Sequence, residues 1–117
     1  MPSLTELASY LESIAPAQTA ESWDNVGVLV RCAQEVTGVL CALDITPATV
    51  REARAVGCNA IVSHHPVIFR PLKELRQGDV PALLVREGVS AVCMHTNLDK
   101  AQGGVNDVLA QALGLRD

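Results

Sequence analysis

The sequence predicts an α/β fold in which helices cover both faces of a mostly parallel sheet. Continuous apolar runs at 36–43, 58–63 and 89–94 alternate with segments of helical periodicity, the order typical of strands joined by crossover helices. Hydrophobic residues make up 49% of the chain and aromatic residues only 3%, so the core must be built mainly from Val, Leu, Ile and Ala. At 117 residues the chain is expected to form a single domain over 1–117.

Four segments combine apolar residues at helical spacing with a residue that begins or ends a helix: 4–14, 47–56, 79–87 and 105–113. Ser3 or Thr5 can cap the first of them. Thr46 followed by Pro47 is typical of an N-cap and a first helical residue, and Gly88 stands where a helix ends. The segment 20–30 passes from polar to apolar residues and predicts a turn that leads into a short strand.

Composition and charge exclude several classes of function. The formal net charge is -4, and no run of Lys or Arg is present from which to build a surface that follows a phosphate backbone, so direct nucleic-acid binding is not expected. No stretch has membrane-spanning length, and the first residues lack the basic and apolar regions of a signal peptide. We therefore expect a cytoplasmic protein with no membrane contact. Its four scattered cysteines are expected to be reduced and mostly buried: Cys32, Cys41, Cys58 and Cys93.

Polar clusters follow the apolar runs, at the point where each predicted strand ends. The sequences LDIT, SHHP and HTNLD occupy these positions. Ligands of open α/β sheets bind at the carboxyl edge of the strands. We therefore expect Asp44, His64, His65 and Asp99 to lie along one edge of the sheet.

The adjacent pair His64 and His65 is the chemically most informative feature of this edge. Imidazole is the commonest metal ligand near neutral pH, and Asp99 would add a hard oxygen ligand. Neighbouring side chains of an extended strand point to opposite sides, so each histidine is expected to serve a different ion of a pair about 3.5–4 Å apart. His95 could be a further ligand, an acid or base, or a residue that supports a ligand.

The residue types alone leave other interpretations open. A His–His pair at a strand end can be structural or simply exposed, and Asp99 can bridge backbone N–H groups in a turn. Asp44 can either support the metal site or cap the helix that begins at Pro47. Trp23, together with the two polar residues that follow it, can line a pocket or anchor a turn.

Four stretches, which keep their order and spacing over nearly the whole chain, resemble the Nif-three-like family, also called the GTP cyclohydrolase I type 2 homologue family. The stretches are AESWDNVGVLV at 20–30, ALDITPATVREA at 42–53, AIVSHHPVIFRPLK at 60–73 and HTNLDKAQGGVNDVLAQALGL at 95–115. Their combination is highly specific, whereas any one of them alone would not be. The resemblance implies the Nif-three-like fold, with this chain as its amino-terminal half.

The resemblance also implies a centre of two divalent metal ions with His64, His65 and Asp99 as ligands and His95 beside them. These ligands suit zinc, iron, manganese or nickel alike. Family members are longer, and their later half is expected to add a His and a Glu ligand spaced one helical turn apart. The chain's three histidines all belong to the stretches above, so it supplies only part of that shell. Ring-like homo-oligomers built from dimers are also implied.

Two functions follow as hypotheses. The first is a metal-dependent hydrolase that acts on a nucleotide-like or phosphorylated small molecule, with a metal-activated water as nucleophile and His95 as the candidate acid or base. The second is a non-catalytic metal-binding or oligomeric interaction module with an incomplete metal site. Turnover that scales with bound metal would distinguish the first from the second.

Overall fold

The structure of the chain, a computed structural model, describes residues 2–115. Its strands are β1 (Gly27–Val30), β2 (Val39–Ala42), β3 (Ala60–Ser63) and β4 (Ser90–Cys93). Within these residues the helices are α1 (Leu4–Ile14), α2 (Pro47–Ala55), α3 (Val80–Glu87), α4 (Thr96–Lys100) and α5 (Val105–Ala112), with a short 3₁₀ turn at Ala17–Thr19. The strands form one sheet in the order β1-β4-β3-β2, in which β4, β3 and β2 are parallel and β1 is antiparallel to β4. The predicted, mostly parallel α/β fold is confirmed.

Apolar side chains pack against both faces of this sheet, as predicted. On one face Ile61 and Ala91 pack with residues of α2 and α3, among them the fully buried Val50 and Leu84. On the other face Ala60 and Val92 pack against α1, through Leu4, Leu7 and Leu11. Ala60 and Ile61 are neighbours on β3, so the alternation of a strand divides them between the two cores.

Helix α1 begins with a capping box at Ser3. The Ser3 hydroxyl accepts a hydrogen bond from the backbone N–H of Glu6 (3.0 Å), and the Glu6 carboxylate accepts one from the backbone N–H of Ser3 (3.4 Å). This reciprocal pair satisfies two N–H groups that would otherwise lack a partner. Leu4 is fully buried one residue later. The cap therefore fixes where the helix starts relative to the core, and Ser3 rather than Thr5 is the capping residue.

Two elements differ from the prediction in burial or in kind. Strand β2 lies at the edge of the sheet and alternates between exposed and half-buried residues, whereas its apolar run predicted a buried strand. The segment HTNLD, which was interpreted as a turn, lies largely in the short helix α4, with His95 as its N-cap. Five residues are too few to show helical periodicity in the sequence. Asn97 holds this helix in place, because its side chain accepts from the His95 N–H (2.9 Å) and donates to the Ala15 carbonyl (2.9 Å).

The turn between α4 and α5 depends on a glycine. A side chain at Gly104 would place its Cβ 2.0 Å from the Leu98 carbonyl oxygen and 2.9 Å from that of Ala101, so only a residue without a side chain fits there. After this turn α5 has no buried residue, and its apolar side chains are exposed.

The cysteines are only partly as predicted. All four are free, but Cys93 alone is buried, Cys32 and Cys58 are half-buried, and Cys41 is exposed on the edge strand. Burial raises the pKa of Cys93. Within residues 2–115 no helix has the length and hydrophobicity needed to cross a membrane.

We predict that Ser3→Ala lowers the free energy of unfolding by about 1 kcal/mol, because it removes the N-cap of α1. Ser9→Ala, an exposed change within the same helix, is the matched control and should change stability by less than about 0.5 kcal/mol. Urea denaturation of both variants tests this. Equal stabilities of the two variants would show that the capping box contributes nothing.

Candidate metal centre

The pairing of β3 with β4 brings the three histidines together. His64 and His65 follow the last residue of β3, and Met94 and His95 follow the last residue of β4. The Met94 N–H donates to the Ser63 carbonyl (2.9 Å), and the N–H groups of His64 and His65 donate to the Ala42 and Leu43 carbonyls (3.3 and 3.0 Å). These bonds continue the sheet one step beyond its strands. The polar clusters therefore meet at the carboxyl edge, as predicted.

The three imidazoles form a compact triangle. Ring centroids are 5.4 Å apart for His64 and His65, 5.2 Å for His64 and His95, and 5.7 Å for His65 and His95. One ligand atom of each ring lies within 4.8 Å of the other two, a group that could hold a metal ion. The sequence identified His95 as a candidate acid or base, and the structure places it beside the other two rings.

The prediction that the side chains of His64 and His65 point to opposite sides was wrong, because the backbone is not extended at these residues. Adjacent side chains alternate only while the backbone is extended, and β3 ends at Ser63. His64 and His65 lie in the bend that follows, where the Ser63 hydroxyl donates to the His65 carbonyl (2.9 Å). The two rings consequently lie near one another instead of on opposite sides of the sheet. One ion could therefore contact both.

Each imidazole has its Nδ1 atom held by an oxygen. Nδ1 of His64 lies 2.8 Å from the Met94 carbonyl, Nδ1 of His65 lies 2.6 Å from the Asp44 carboxylate, and Nδ1 of His95 lies 3.0 Å from the Asp24 carboxylate. Carbonyl and carboxylate oxygens accept hydrogen bonds, so Nδ1 of each ring is the donor, which leaves Nε2 as the nitrogen available to a metal ion. This is the arrangement that fixes the tautomer of metal-binding histidines.

Asp99 faces the first of these rings. Its Oδ1 lies 3.3 Å from Nε2 of His64, and α4 positions it because the Asp99 N–H donates to the His95 carbonyl (3.1 Å). With Nδ1 as the donor, a neutral His64 ring presents a lone pair to a carboxylate oxygen. A proton on Nε2 or a metal ion between these two atoms stabilises so close a contact. The side chains of His64 and Asp99 are 19% and 29% exposed, so an ion can enter from solvent.

Asp44 contacts a histidine and does not cap the helix that follows it. Its carboxylate is 58% exposed and bonds to His65. The N-cap of α2 is Thr46, whose hydroxyl accepts from the Thr49 N–H (3.2 Å). The sequence allowed both interpretations for Asp44, and the structure favours the supporting role beside the histidine.

Asp24 orients His95, a role that the sequence did not identify, since it offered Asp24 only as a residue beside Trp23 that can line a pocket or belong to a turn. Its side chain is fully buried, and its carboxylate accepts from the Thr96 hydroxyl (2.6 Å), the Thr96 N–H (3.0 Å), the Asn25 N–H (2.9 Å) and His95. Burial by itself would raise the pKa of Asp24, but these hydrogen bonds outweigh it and lower the pKa from 3.8 to about 2. Asp24 is therefore ionised near neutral pH and joins the segment after the 3₁₀ turn to α4.

Three carboxylates consequently surround three imidazoles at one rim of the sheet. Asp24, Asp44 and Asp99 each contact one of the histidines. A concentration of negative charge around neutral nitrogen ligands favours cations over anions.

The comparisons with known proteins agree with this fold and these motifs. A family model described as Duf34/NIF3 (NGG1p interacting factor 3) matches residues 2–117. The chain belongs to this family. The resemblance to Nif-three-like proteins that the sequence motifs carry is thereby confirmed.

Members of the Duf34/NIF3 family include relatives with names and solved structures. A "GTP cyclohydrolase 1 type 2 homolog" from Staphylococcus aureus is 44% identical over 118 residues, which cover 97% of this chain and 32% of the relative. The crystal structure of the Staphylococcus aureus hypothetical protein SA1388 matches with a TM-score of 0.86 and 42% identity, covering 99% of this chain and 40% of that one. A Bacillus cereus protein related to NIF3 matches with a TM-score of 0.88 and 38% identity, covering 99% and 33%. The chain thus spans about a third of the length of the curated relatives it matches.

We predict that Asp24→Asn lowers the free energy of unfolding of the metal-free protein by about 1.5–3 kcal/mol, because the Thr96 donors lose a charged acceptor inside the protein. Asp44→Asn is the matched control, since it neutralises the other carboxylate that holds a histidine but at an exposed position. It should cost less than about 1 kcal/mol. Urea denaturation near neutral pH measures both, and equal losses would contradict a special role for Asp24.

Proposed function

We propose that the carboxyl edge of the sheet is a divalent-metal site in which His64, His65 and Asp99 are ligands and His95 lies beside the ions. The observation that carries this proposal is the shared arrangement of the imidazoles, whose Nδ1 atoms are all held by oxygens, so that Nε2 of each ring is left for a metal ion. Structural histidines need no such common arrangement. Metal-binding histidines require it, because the ligating nitrogen must be unprotonated.

The donor set also fits a centre of two ions. Imidazole nitrogen and carboxylate oxygen bind zinc, iron, manganese and nickel, and the three nearby carboxylates offset much of the charge of two divalent ions. Two ions about 3.5–4 Å apart would share this rim. The described residues supply fewer protein ligands than two ions require. We infer that further ligands come from additional polypeptide, as the greater length of the relatives allows.

A metal-dependent hydrolase is the activity that this geometry favours. Bound divalent ions would supply a polarising charge and a more acidic water. The ring of His95 is oriented by ionised Asp24, which lies behind Nδ1, so that Nε2 is the nitrogen available for proton transfer. Relatives carry the name GTP cyclohydrolase 1 type 2 homolog, so we propose a nucleotide-like or phosphorylated small molecule as substrate. Molecules of this class occur in the cytoplasm, which is the location that the sequence predicts for the protein.

We predict that His64→Ala, His65→Ala and Asp99→Asn each weaken Zn²⁺ or Mn²⁺ binding by at least about tenfold, because the first two remove a nitrogen ligand and the third removes the charge that offsets a divalent ion. Glu52→Gln, an exposed carboxylate on α2, is the control and should bind as the wild type does. Titration calorimetry on the purified chain measures affinity and stoichiometry. Binding should also weaken as the pH falls, because protons compete for imidazole nitrogen.

Unchanged affinity in all three ligand variants, with the fold intact by circular dichroism, would contradict the proposed site. Metal binding without hydrolysis of GTP or simple phosphoesters would instead favour the non-catalytic module.

The exposed face of α5 favours a second candidate role, assembly of the protein with further copies of itself. Val105, Val108, Leu109 and Ala112 recur at the spacing of a helix-packing seam and border a groove of about 510 Å³. Leu109 is 55% exposed. A face of this kind can pair with its own copy about a two-fold axis. We therefore propose a homo-oligomer in which α5 is part of the contact.

We predict that Leu109→Asp shifts the protein toward the monomer, because a carboxylate in an apolar contact loses its hydration. Val85→Asp, a change at a similarly exposed apolar residue of α3, is the control and should leave the assembly unchanged. Sedimentation equilibrium decides the matter. A wild-type chain that is monomeric at micromolar concentration would contradict this role for α5.

A further inference from the structure

We propose that Trp23 and Phe69 form a subsite that stacks the planar aromatic ring of a small molecule whose oxygen groups point toward the histidine triangle. The stacking surface is a property of these two residues alone. The direction of the oxygen groups rests on the metal-binding function proposed above.

The first observation is where the aromatic residues lie. The chain has one Trp, one Tyr and one Phe, and two of these three rings are in contact at the rim of the histidine site. Their centroids are 6.1 Å apart and their planes meet at 74°. Trp23 is 59% and Phe69 42% exposed, and within the described residues neither packs into an apolar core. Exposed paired aromatics next to polar groups are typical of ligand sites.

The second observation is the distance to the histidines. The Trp23 ring lies 6.5 Å from the His95 ring, at an interplanar angle of 77°. Trp23 therefore contacts both Phe69 and a ring of the histidine triangle. A planar ring stacks on indole with centroids about 4.5–7 Å apart. A ring stacked on the side of Trp23 that faces His95 would bring its substituents toward the histidine triangle.

The third observation is that both aromatic residues are held by their neighbours. Asp24, next to Trp23, is fixed by its buried hydrogen bonds to Thr96. The Asn25 side chain donates to the carbonyl of Ile68, the residue before Phe69 (2.7 Å). The two aromatic side chains thus come from segments that are joined before any ligand arrives, and a preformed site loses less entropy on binding.

The charges around the site indicate which charged group the rest of the ligand can carry. Asp24, Asp44 and Asp99 disfavour an anion next to the histidines unless metal ions are bound. A ring that carries a phosphate should therefore bind better to the metal-loaded protein. A neutral ring should bind equally well with and without metal. The ligand class is a planar aromatic ring that carries an anionic oxygen group.

Fluorescence of Trp23, the only tryptophan, tests the subsite. Adenosine and AMP are titrated into the metal-free and the Mn²⁺-loaded protein, with ribose 5-phosphate as the probe that lacks a ring. We expect adenosine to quench Trp23 in both forms, AMP to bind more tightly in the loaded form, and ribose 5-phosphate to leave the emission unchanged.

Variants test whether the rings themselves bind. Calorimetry should show adenosine binding about tenfold weaker for Trp23→Leu and weaker for Phe69→Leu, because base–aromatic stacking is lost. Trp23→Phe should restore part of the affinity. Tyr10→Leu, which alters the remaining aromatic at an exposed position of α1, is the control and should bind as the wild type does.

The outcomes separate this proposal from the metal site. If adenosine leaves the Trp23 emission unchanged, as ribose 5-phosphate is expected to do, or if Trp23→Leu binds adenosine as the wild type does, the subsite is overturned whatever the metal titration shows. Burial of the two rings in a protein assembly, seen as concentration-dependent quenching without adenosine binding, would also overturn it. If adenosine stacks on Trp23 but no metal binds, the subsite stands and the metal proposal fails.

Discussion

The parallel pairing of β3 with β4 is the constraint on which the rest of the site depends. Ser63 lies opposite Cys93 in this register, so both strands end at the same level and their next residues leave the sheet side by side. His64 and His95 are thereby brought together from positions 31 residues apart in a chain of 117. A shift of one residue would turn every side chain of the strand to the other face, and both cores would oppose it. Core packing thus secures the geometry of polar groups that contribute little to the core.

Two carboxylates that contact histidines differ in what they do for the protein. The buried carboxylate of Asp24 accepts hydrogen bonds from Asn25, from His95 and from both the hydroxyl and the N–H of Thr96. It therefore joins distant segments and also orients His95. Asp44 is exposed and contacts His65 in solvent. The buried carboxylate contributes to the fold and orients its histidine rigidly. The exposed one contributes less to the fold, because solvent reaches both it and its histidine.

Much of the fold and part of the site could be predicted from the sequence. The apolar runs predicted the strands to within a few residues, because buried strands have a strong local pattern, and the position of polar clusters after them predicted the edge where His64, His65 and Asp99 meet. The role of Asp24 was missed because its partner His95 is 71 residues away and no local pattern joins them. The orientation of the histidine pair depends on a backbone bend that begins where β3 ends. The short helix α4 is fixed by long-range bonds from Asn97, which are equally invisible in the sequence.

Gly104 shows how far the requirements of such a site extend along a chain. Any side chain at this position would collide with the carbonyl of Leu98, the residue before Asp99. To relieve that collision, either α5 must move away or the peptide that carries Asp99 must turn. Gly104, which has no side chain that could bind a metal ion, thus helps to fix the position of the Asp99 carboxylate. Substitution of Gly104 would therefore impair the site as substitution of a metal ligand does. The cause would be steric, because only a hydrogen atom fits where a side chain would lie.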